Sequence, residues 1–456
     1  MANLERVNFG SKLGVILATA GSAVGLGNVW RFPYMAGEHG GAAFILVYLF
    51  CICLLGMPCM ISEFIIGRHS ASNTARAYRQ LSNGTPWMVI GYLGVLTGFL
   101  ITGYYAVVAG WCFQYIFASL LGHLHGTPSQ LADYFTAFET DPFKPVFWMA
   151  AFLLVTHYVI IHGVQNGIER ASKTLMPALF LLLLVIVVAA CCLPGAERGI
   201  AFLLKPDFSQ LSGKVFMGAL GQSFYSLSIG MGCLCTYASY FSKQTNLTRS
   251  AVQISLIDTL VAILAGLMIF PAAFSVGINP DSGPSLVFIT LPNVFQQAFA
   301  SMPLIGYVVA LAFYALLALA ALTSLISLHE VSTAFVQEEF HTTRKRGATF
   351  VTVVCILIGC LCSLSLGKWN FLQIGGKSLF DIFDFVTGQI LLPFGGFLTC
   401  LFIGWYMPHK LVRDEFTNWG TLRGKLFHTY LFCIKFVCPI AILMIFLYQL
   451  GFISFE

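Results

Sequence analysis

Apolar residues run through this chain in long stretches, with polar and charged positions gathered between them. A helix needs about 20 predominantly apolar residues to cross a bilayer. Eleven such stretches can be placed, near residues 12–36, 41–66, 87–121, 146–162, 168–193, 214–241, 248–275, 304–338, 348–366, 378–407 and 426–452. The third, eighth and tenth are long enough to tilt or to protrude into solvent. The pattern predicts an all-α polytopic membrane protein with about eleven transmembrane helices.

Two of these stretches are interrupted. Residues 20–34 place Gly21, Gly25, Gly27, Asn28 and Arg31 inside the first apolar segment, and Gly230 and Gly232 fall in the middle of the sixth. Glycine weakens a helix, and backbone freed in hydrocarbon survives only where protein or a cavity meets it. Taken alone, Gly21-x-x-x-Gly25 also fits a close-packing face between helices. Two interruptions five spans apart instead signal an inverted-repeat transporter with its site where the broken helices meet, the odd offset giving the second copy opposite topology. The expected division is a first repeat over 1–193 (helices 1–5), a second over 214–407 (helices 6–10), and a cytoplasmic loop with an eleventh helix over 408–456.

Composition supports the class: 58% of the 456 residues are hydrophobic and 9% charged, against roughly a quarter charged in soluble domains. The start of the chain lacks the pattern of a removable signal peptide. With the N-terminus inside, the cytoplasmic stretches hold sixteen Lys and Arg and the opposite side six, the remaining two, Arg31 and Lys435, lying within spans. That asymmetry predicts a cytoplasmic N-terminus and, with eleven spans, a C-terminus outside. It also accounts for most of the net charge of +5, so nucleic acid is not an expected partner. The fourteen cysteines lie within or at the ends of apolar spans, where free cysteine acts as a small hydrophobe. No His-x-x-x-His or His/Cys array suggests a metalloenzyme. A channel would need a continuous polar pore, whereas the polar residues here converge on one point.

Residues 21–33 (Gly-Ser-Ala-Val-Gly-Leu-Gly-Asn-Val-Trp-Arg-Phe-Pro), Glu38-His-Gly-Gly, the Tyr104-Tyr105 pair, residues 222–230, Thr236-Tyr-Ala-Ser-Tyr240, Leu322-Thr-Ser324 and Phe380-Asp-Ile-Phe-Asp384 closely resemble the neurotransmitter:sodium symporter family. Bacterial members with the LeuT fold are the nearest match, over the first ten spans, so the resemblance implies a bacterial inner-membrane protein. The family usually has twelve spans, which leaves dimerisation and oligomeric state open. The resemblance implies two sodium sites. One would use the Ala23 carbonyl, Asn28, Ser226, Asp258 and the substrate carboxylate; the other would use the carbonyls of Gly21, Val24 and Ala320 with the hydroxyls of Thr323 and Ser324. The N–H groups of Leu26 and Gly27, with the Tyr105 hydroxyl, would hold the substrate carboxylate.

Family members that carry monoamines resemble one another in having aspartate where this chain has Gly25, so a neutral amino acid is the implied substrate. Its side chain would meet Val24, Ile101, Tyr105, Phe224, Tyr225, Ser228, Met231, Leu325 and Leu328, an apolar set that favours large hydrophobic or aromatic groups. Animal members resemble one another in having asparagine in place of Asp258 and a chloride held by Tyr, Gln, Ser and Ser. The counterparts here are Tyr48, Gln222, Ser226 and Ala262, and Asp258 would replace the anion, so no chloride is expected. Arg31 and Asp384 would close the outer side over Tyr225, and Arg6 with Glu338 and the Ser239/Tyr240 turn the inner side. Exposed ion pairs of this kind contribute only about 0–1 kcal/mol, which suits a gate. Glu63 would support the sixth helix at its break. Gly167 and Pro177 resemble the family's G-x9-P motif, a weak point in helix 5 that would admit water to the second sodium. Sodium-coupled import by alternating access is thus the expected function, with a non-transporting sodium-dependent amino-acid sensor on the same fold as the alternative.

Overall fold

The computed structural model describes residues 8–277, 286–367 and 369–453; Arg6 lies outside them. Every regular element among the described residues is helical, save one isolated antiparallel bridge between Ile374 and Lys377. Among the described residues, nine helices are long and apolar enough to cross a bilayer. These are helices 2 (Ala42–Ser70), 3 (Pro86–Leu120), 4 (Lys144–Ile161), 5 (Val164–Cys191), 7 (Leu247–Ser275), 8 (Pro303–Glu339), 9 (Arg344–Leu366), 10 (Leu379–Tyr406) and 11 (Phe427–Gln449). Helix 1 is a bent pair, Lys12–Ala23 and Gly27–Glu38, turned by 54° at its break. The sixth expected span consists of Gly213–Ser226 and Cys233–Ala238, each too short to cross alone. Each of the eleven apolar stretches thus has its helix or broken helix.

Helices 2, 3 and 7 are largely enclosed, while helices 4 and 5 turn most of their apolar surface outward. The first half of helix 1 packs on helices 5, 7 and 8, and Cys233–Ala238 packs on helix 2. Shorter helices, among them Pro128–Glu139, Ala196–Leu204, Leu291–Ala298 and His409–Phe416, fill the connections.

The two breaks use glycine differently. At Val24 the chain leaves the helix with φ −72° and ψ 102°, and neither Gly25 nor Gly27 has positive φ. Glycine is needed there for space, because a Cβ on Gly25 would lie 2.5 Å from Ser324 Oγ and one on Gly27 3.2 Å from the Tyr225 ring. In the sixth span Gly230 and Gly232 do adopt left-handed φ, +88° and +76°, and Ser228 joins them at +55°. That conformation favours glycine over other residues. Glu63, buried on helix 2, accepts from Gly230 N at 2.7 Å and so meets backbone that the break has freed.

Glu63→Ala would leave the buried Gly230 N–H without this acceptor, a loss of about 1–3 kcal/mol. Thermal unfolding of the purified protein is expected at a clearly lower temperature in Glu63→Ala, and closer to the parent in Glu63→Gln, which keeps an acceptor oxygen.

Candidate sodium and substrate site

The two breaks face one another across a cavity of about 490 Å³. Its wall comes from Ser22, Ala23 and residues 25–27 of the first break, Ser226, Ser228 and Met231 from the sixth span, Ile101 and Tyr105 from helix 3, and Ser324 and Leu328 from helix 8. Tyr225 closes one side. No charged side chain among the described residues lines it. Leu26 N, at the start of the second half of helix 1, donates to the Tyr105 hydroxyl at 3.3 Å. That N–H and the hydroxyl therefore sit together where an anionic group would meet the positive end of a half-helix.

Asp258 lies beside the cavity on helix 7, fully buried. Its carboxylate accepts from Asn28 Nδ2 at 2.7 Å, from Ser226 Oγ at 2.9 and 3.1 Å, and from the Tyr48 hydroxyl at 3.2 Å. All three partners are neutral. A buried carboxylate that is hydrogen-bonded but not charge-paired retains a strong demand for a cation. Asn28 Oδ1 accepts from Gly25 N at 3.0 Å, which ties this cluster to the break itself. Gln222 turns its amide nitrogen toward the Gly27 carbonyl, 3.5 Å away.

A second group of oxygens sits on the far side of the first break. Thr323 Oγ1 lies 3.4 Å from the Val24 carbonyl and 3.0 Å from that of Ala320; Ser324 Oγ lies 3.5 Å from the Gly21 carbonyl and 3.2 Å from that of Val24. The carbonyl end of a half-helix and two hydroxyls from helix 8 thus converge, a donor set suited to Na⁺.

The structure brings together most of the residues singled out in the sequence, with three departures in the side-chain pocket. Val24, Phe224 and Leu325 do not line the cavity. Val24 turns its carbonyl to Thr323 and Ser324. Leu325 follows Ser324 by one residue and so points some 100° away, whereas Leu328, four residues on, shares the Ser324 face. Phe224 is offset in the same way from Tyr225 and lies against Gly396, lining a separate space of about 250 Å³ with Arg31 and Gln449. Ser22, not singled out beforehand, is on the cavity wall.

Where the outer closure is expected, Arg31 stacks over the Tyr225 ring, 4.2 Å from its centre, and makes no direct ion pair with Asp384. Where the inner closure is expected, Tyr240 donates to Glu330 Oε1 at 2.6 Å, and Arg344 pairs with Glu330 at 2.6 Å. Glu338, expected beside Arg6, accepts from the Asn73 backbone and side chain at 2.8 and 2.9 Å. Glu330 and Arg344 were not anticipated. A fully buried glutamate inside an apolar helix was the signal available, since intramembrane carboxylates mark functional positions. Phe9 seats the chain here: its N–H donates to the Tyr240 carbonyl at 3.1 Å and its ring meets Tyr237 and Tyr240 edge-on.

The profile of the sodium:neurotransmitter symporter family matches residues 6–131 and 141–455. The chain belongs to this family. The sodium-dependent transporter YhdH of Bacillus subtilis is 37% identical over 457 residues, covering the whole of both chains. A sodium- and chloride-dependent GABA transporter 2 of Homo sapiens is 26% identical, covering 90% of this chain and 75% of its own. Among solved structures, MhsT in complex with L-phenylalanine superposes with a TM-score of 0.87 at 42% identity, covering 97% of this chain and all of that one. The symporter therefore has the LeuT fold, resides in a membrane, depends on sodium and is a secondary transporter rather than an enzyme.

Space at the first break is tight enough to test. Gly25→Ala would force a methyl group against Ser324 Oγ and Tyr105; overpacking of this kind costs about 1–3 kcal/mol. Sodium-dependent substrate binding by the purified symporter is expected to weaken by at least about tenfold, measured by scintillation proximity or calorimetry.

Proposed function

We propose that this symporter imports neutral L-amino acids with large hydrophobic or aromatic side chains, together with two sodium ions and without chloride. The observation that carries the reading is a cavity with no charged side chain in its wall among the described residues, whose polar groups include the Leu26 N–H and the hydroxyls of Tyr105, Ser226, Ser228 and Ser324. A zwitterion fits such a site. Its carboxylate meets the half-helix N-terminus and completes the shell of the first sodium, and its amine meets free carbonyls. Gly25 supports the amino-acid class, because the site has no room for a carboxylate side chain there. The apolar wall of Ile101, Met231 and Leu328, and the phenylalanine bound by MhsT, support a bulky apolar side chain.

The first sodium would bind at Ala23, Asn28, Ser226 and Asp258, and the second at Gly21, Val24, Ala320, Thr323 and Ser324. Asp258 supplies the negative charge: it already holds the Tyr48 and Ser226 hydroxyls that would otherwise be free for an anion, and Ala262 offers no hydroxyl. The proposed topology places residue 8 at the cytoplasmic face, with repeats over 1–193 and 214–407. Import then alternates between closure by Arg31 on Tyr225, with Asp384 nearby, and closure by the Phe9 segment, Tyr240, Glu330 and Arg344.

The deciding experiment is uptake into proteoliposomes under an imposed sodium gradient. Accumulation of labelled phenylalanine, tryptophan or leucine is expected, with no accumulation of glutamate, lysine or a monoamine. Saturable binding without accumulation would leave a sensor and sink the transport reading. Replacing chloride by gluconate should leave uptake unchanged, and Asp258→Asn should make it chloride-dependent or abolish it. Pro177→Ala, which restores a backbone donor in helix 5, is expected to slow sodium release to the inside while leaving binding intact; an unchanged release rate would refute this role for the proline.

A further inference from the structure

Glu169 lies away from the cavity and from both proposed sodium sites, on the first turns of helix 5, and its carboxylate is turned to the start of helix 1. Oε2 accepts from Gly10 N at 2.6 Å; Oε1 accepts from Ser11 Oγ at 2.8 Å and from Lys173 Nζ at 2.7 Å. Ser11 is itself the N-cap of helix 1, its Oγ accepting from Gly14 N at 3.0 Å. One carboxylate thus serves the donor end of helix 1 directly and through its cap, where the helix dipole favours negative charge. The seat is closely shaped, because a Cβ on Gly14 would overlap the Glu169 carboxyl group. From the same turn, Gln165 Nε2 donates to the Asn8 carbonyl at 2.7 Å.

The stretch of helix 5 that carries Glu169 is its weakest. The chain enters through Gly163 at φ +88°, runs as a widened π-turn over Val164–Glu169, and meets Pro177 inside the following helix. Pro177 has no N–H for the Lys173 carbonyl. Gly167 packs against the end of helix 4, where a Cβ would overlap the Val159 carbonyl. Glu169 and Lys173 stand between these weak points, so the carboxylate keeps its place only while residues 167–173 stay helical.

We propose that Glu169 is the positioning residue through which loosening of helix 5 frees the cytoplasmic half of helix 1. When residues 167–173 lose their helical geometry the carboxylate withdraws, and Gly10 N and the Ser11 cap lose their acceptor. The half-helix Lys12–Ala23 is already set at 54° to its continuation. Its far end carries the carbonyls of Gly21, Ala23 and Val24. A displacement that starts at Ser11 therefore reaches the proposed sodium ligands through one rigid segment. The consequence for sodium release rests on the transport reading; the coupling itself is measurable in protein that transports nothing.

Hydrogen–deuterium exchange of the full chain in nanodiscs, followed in peptides covering residues 8–20 and 163–178, tests it. Glu169→Ala, which removes the acceptor of both Gly10 N and Ser11 Oγ, is expected to speed exchange in the first turn of helix 1 by about tenfold or more. Helix 5 should stay within about twofold of the parent. Pro177→Ala should slow exchange in both segments when Glu169 is present, and in helix 5 alone when Glu169 is alanine. A merely structural glutamate would not break that correlation. Unchanged exchange over Gly10–Gly14 in Glu169→Ala, or protection of helix 1 by Pro177→Ala without Glu169, overturns the proposal. If Glu169→Ala does not fold, Glu169→Gln and Ser11→Ala carry the same comparison, with an expected effect of about threefold. Failure of uptake with the exchange pattern intact would count against the transport reading alone.

Discussion

Backbone freed from a helix at membrane depth has no water to turn to, and the organisation of this symporter follows from how that demand is met. The break in helix 1 frees carbonyls at Gly21, Ala23 and Val24 and N–H groups at Leu26 and Gly27; the break in the sixth span frees groups around Gly230. Part of the demand is answered by the protein. Glu63 takes the Gly230 N–H, Asn28 takes the Gly25 N–H, and the hydroxyls of Thr323 and Ser324 reach the carbonyls of helix 1. The remainder is concentrated on one cavity and on the buried Asp258 carboxylate beside it, whose hydrogen-bond partners are all neutral. Under the proposed function a cation and a zwitterion would complete what the fold leaves unfinished, and binding and structural satisfaction would then be the same event.

The balance of strengths across the molecule follows the same logic. At the centre the polar groups are buried and mutually constrained, so a missing partner is costly. At the two closures the contacts are of a weaker kind: a guanidinium over a tyrosine ring on one side, and on the other an aromatic side chain, Phe9, set edge-on to its neighbours. The exception is Glu330 with Arg344 and Tyr240, whose carboxylate is fully buried. It joins helix 8 to the first residue of helix 9 and to the end of the sixth span, so any opening on this side must either carry these three together or separate a buried pair.

Much of this was legible in the sequence because the relevant signals are one-dimensional. Apolar runs of membrane length marked the helices, and two glycine interruptions five spans apart marked the site. The physical reason for the glycines at the first break was less legible: spacing suggests conformational freedom, whereas Gly25 and Gly27 have ordinary φ and are needed because Ser324, Tyr105 and Tyr225 approach closely. Closeness between distant segments is not written in local pattern. The same limit explains Leu325 and Phe224, each one residue from a lining position and rotated off it. It also explains Glu330, whose partner Arg344 lies beyond the end of helix 8, and Glu169, whose partners lie about 160 residues away along the chain.

Helix 1 is the element on which these constraints meet. At one end it is capped by a serine bound to helix 5. At the other it offers its last carbonyls to helix 8, and the half-helix beyond its break turns its first N–H groups to the cavity. A regular transmembrane helix would satisfy those groups internally and respond to nothing. Because this one is interrupted, its first half is a rigid lever of twelve residues whose two ends answer to different partners. Cations at the proposed sites would hold one end, and through Glu169 the geometry of a proline-weakened helix would hold the other. On the two proposals together, movement of that lever requires both holds to relax, so that sodium occupancy and the local order of helix 5 would act on the same short segment.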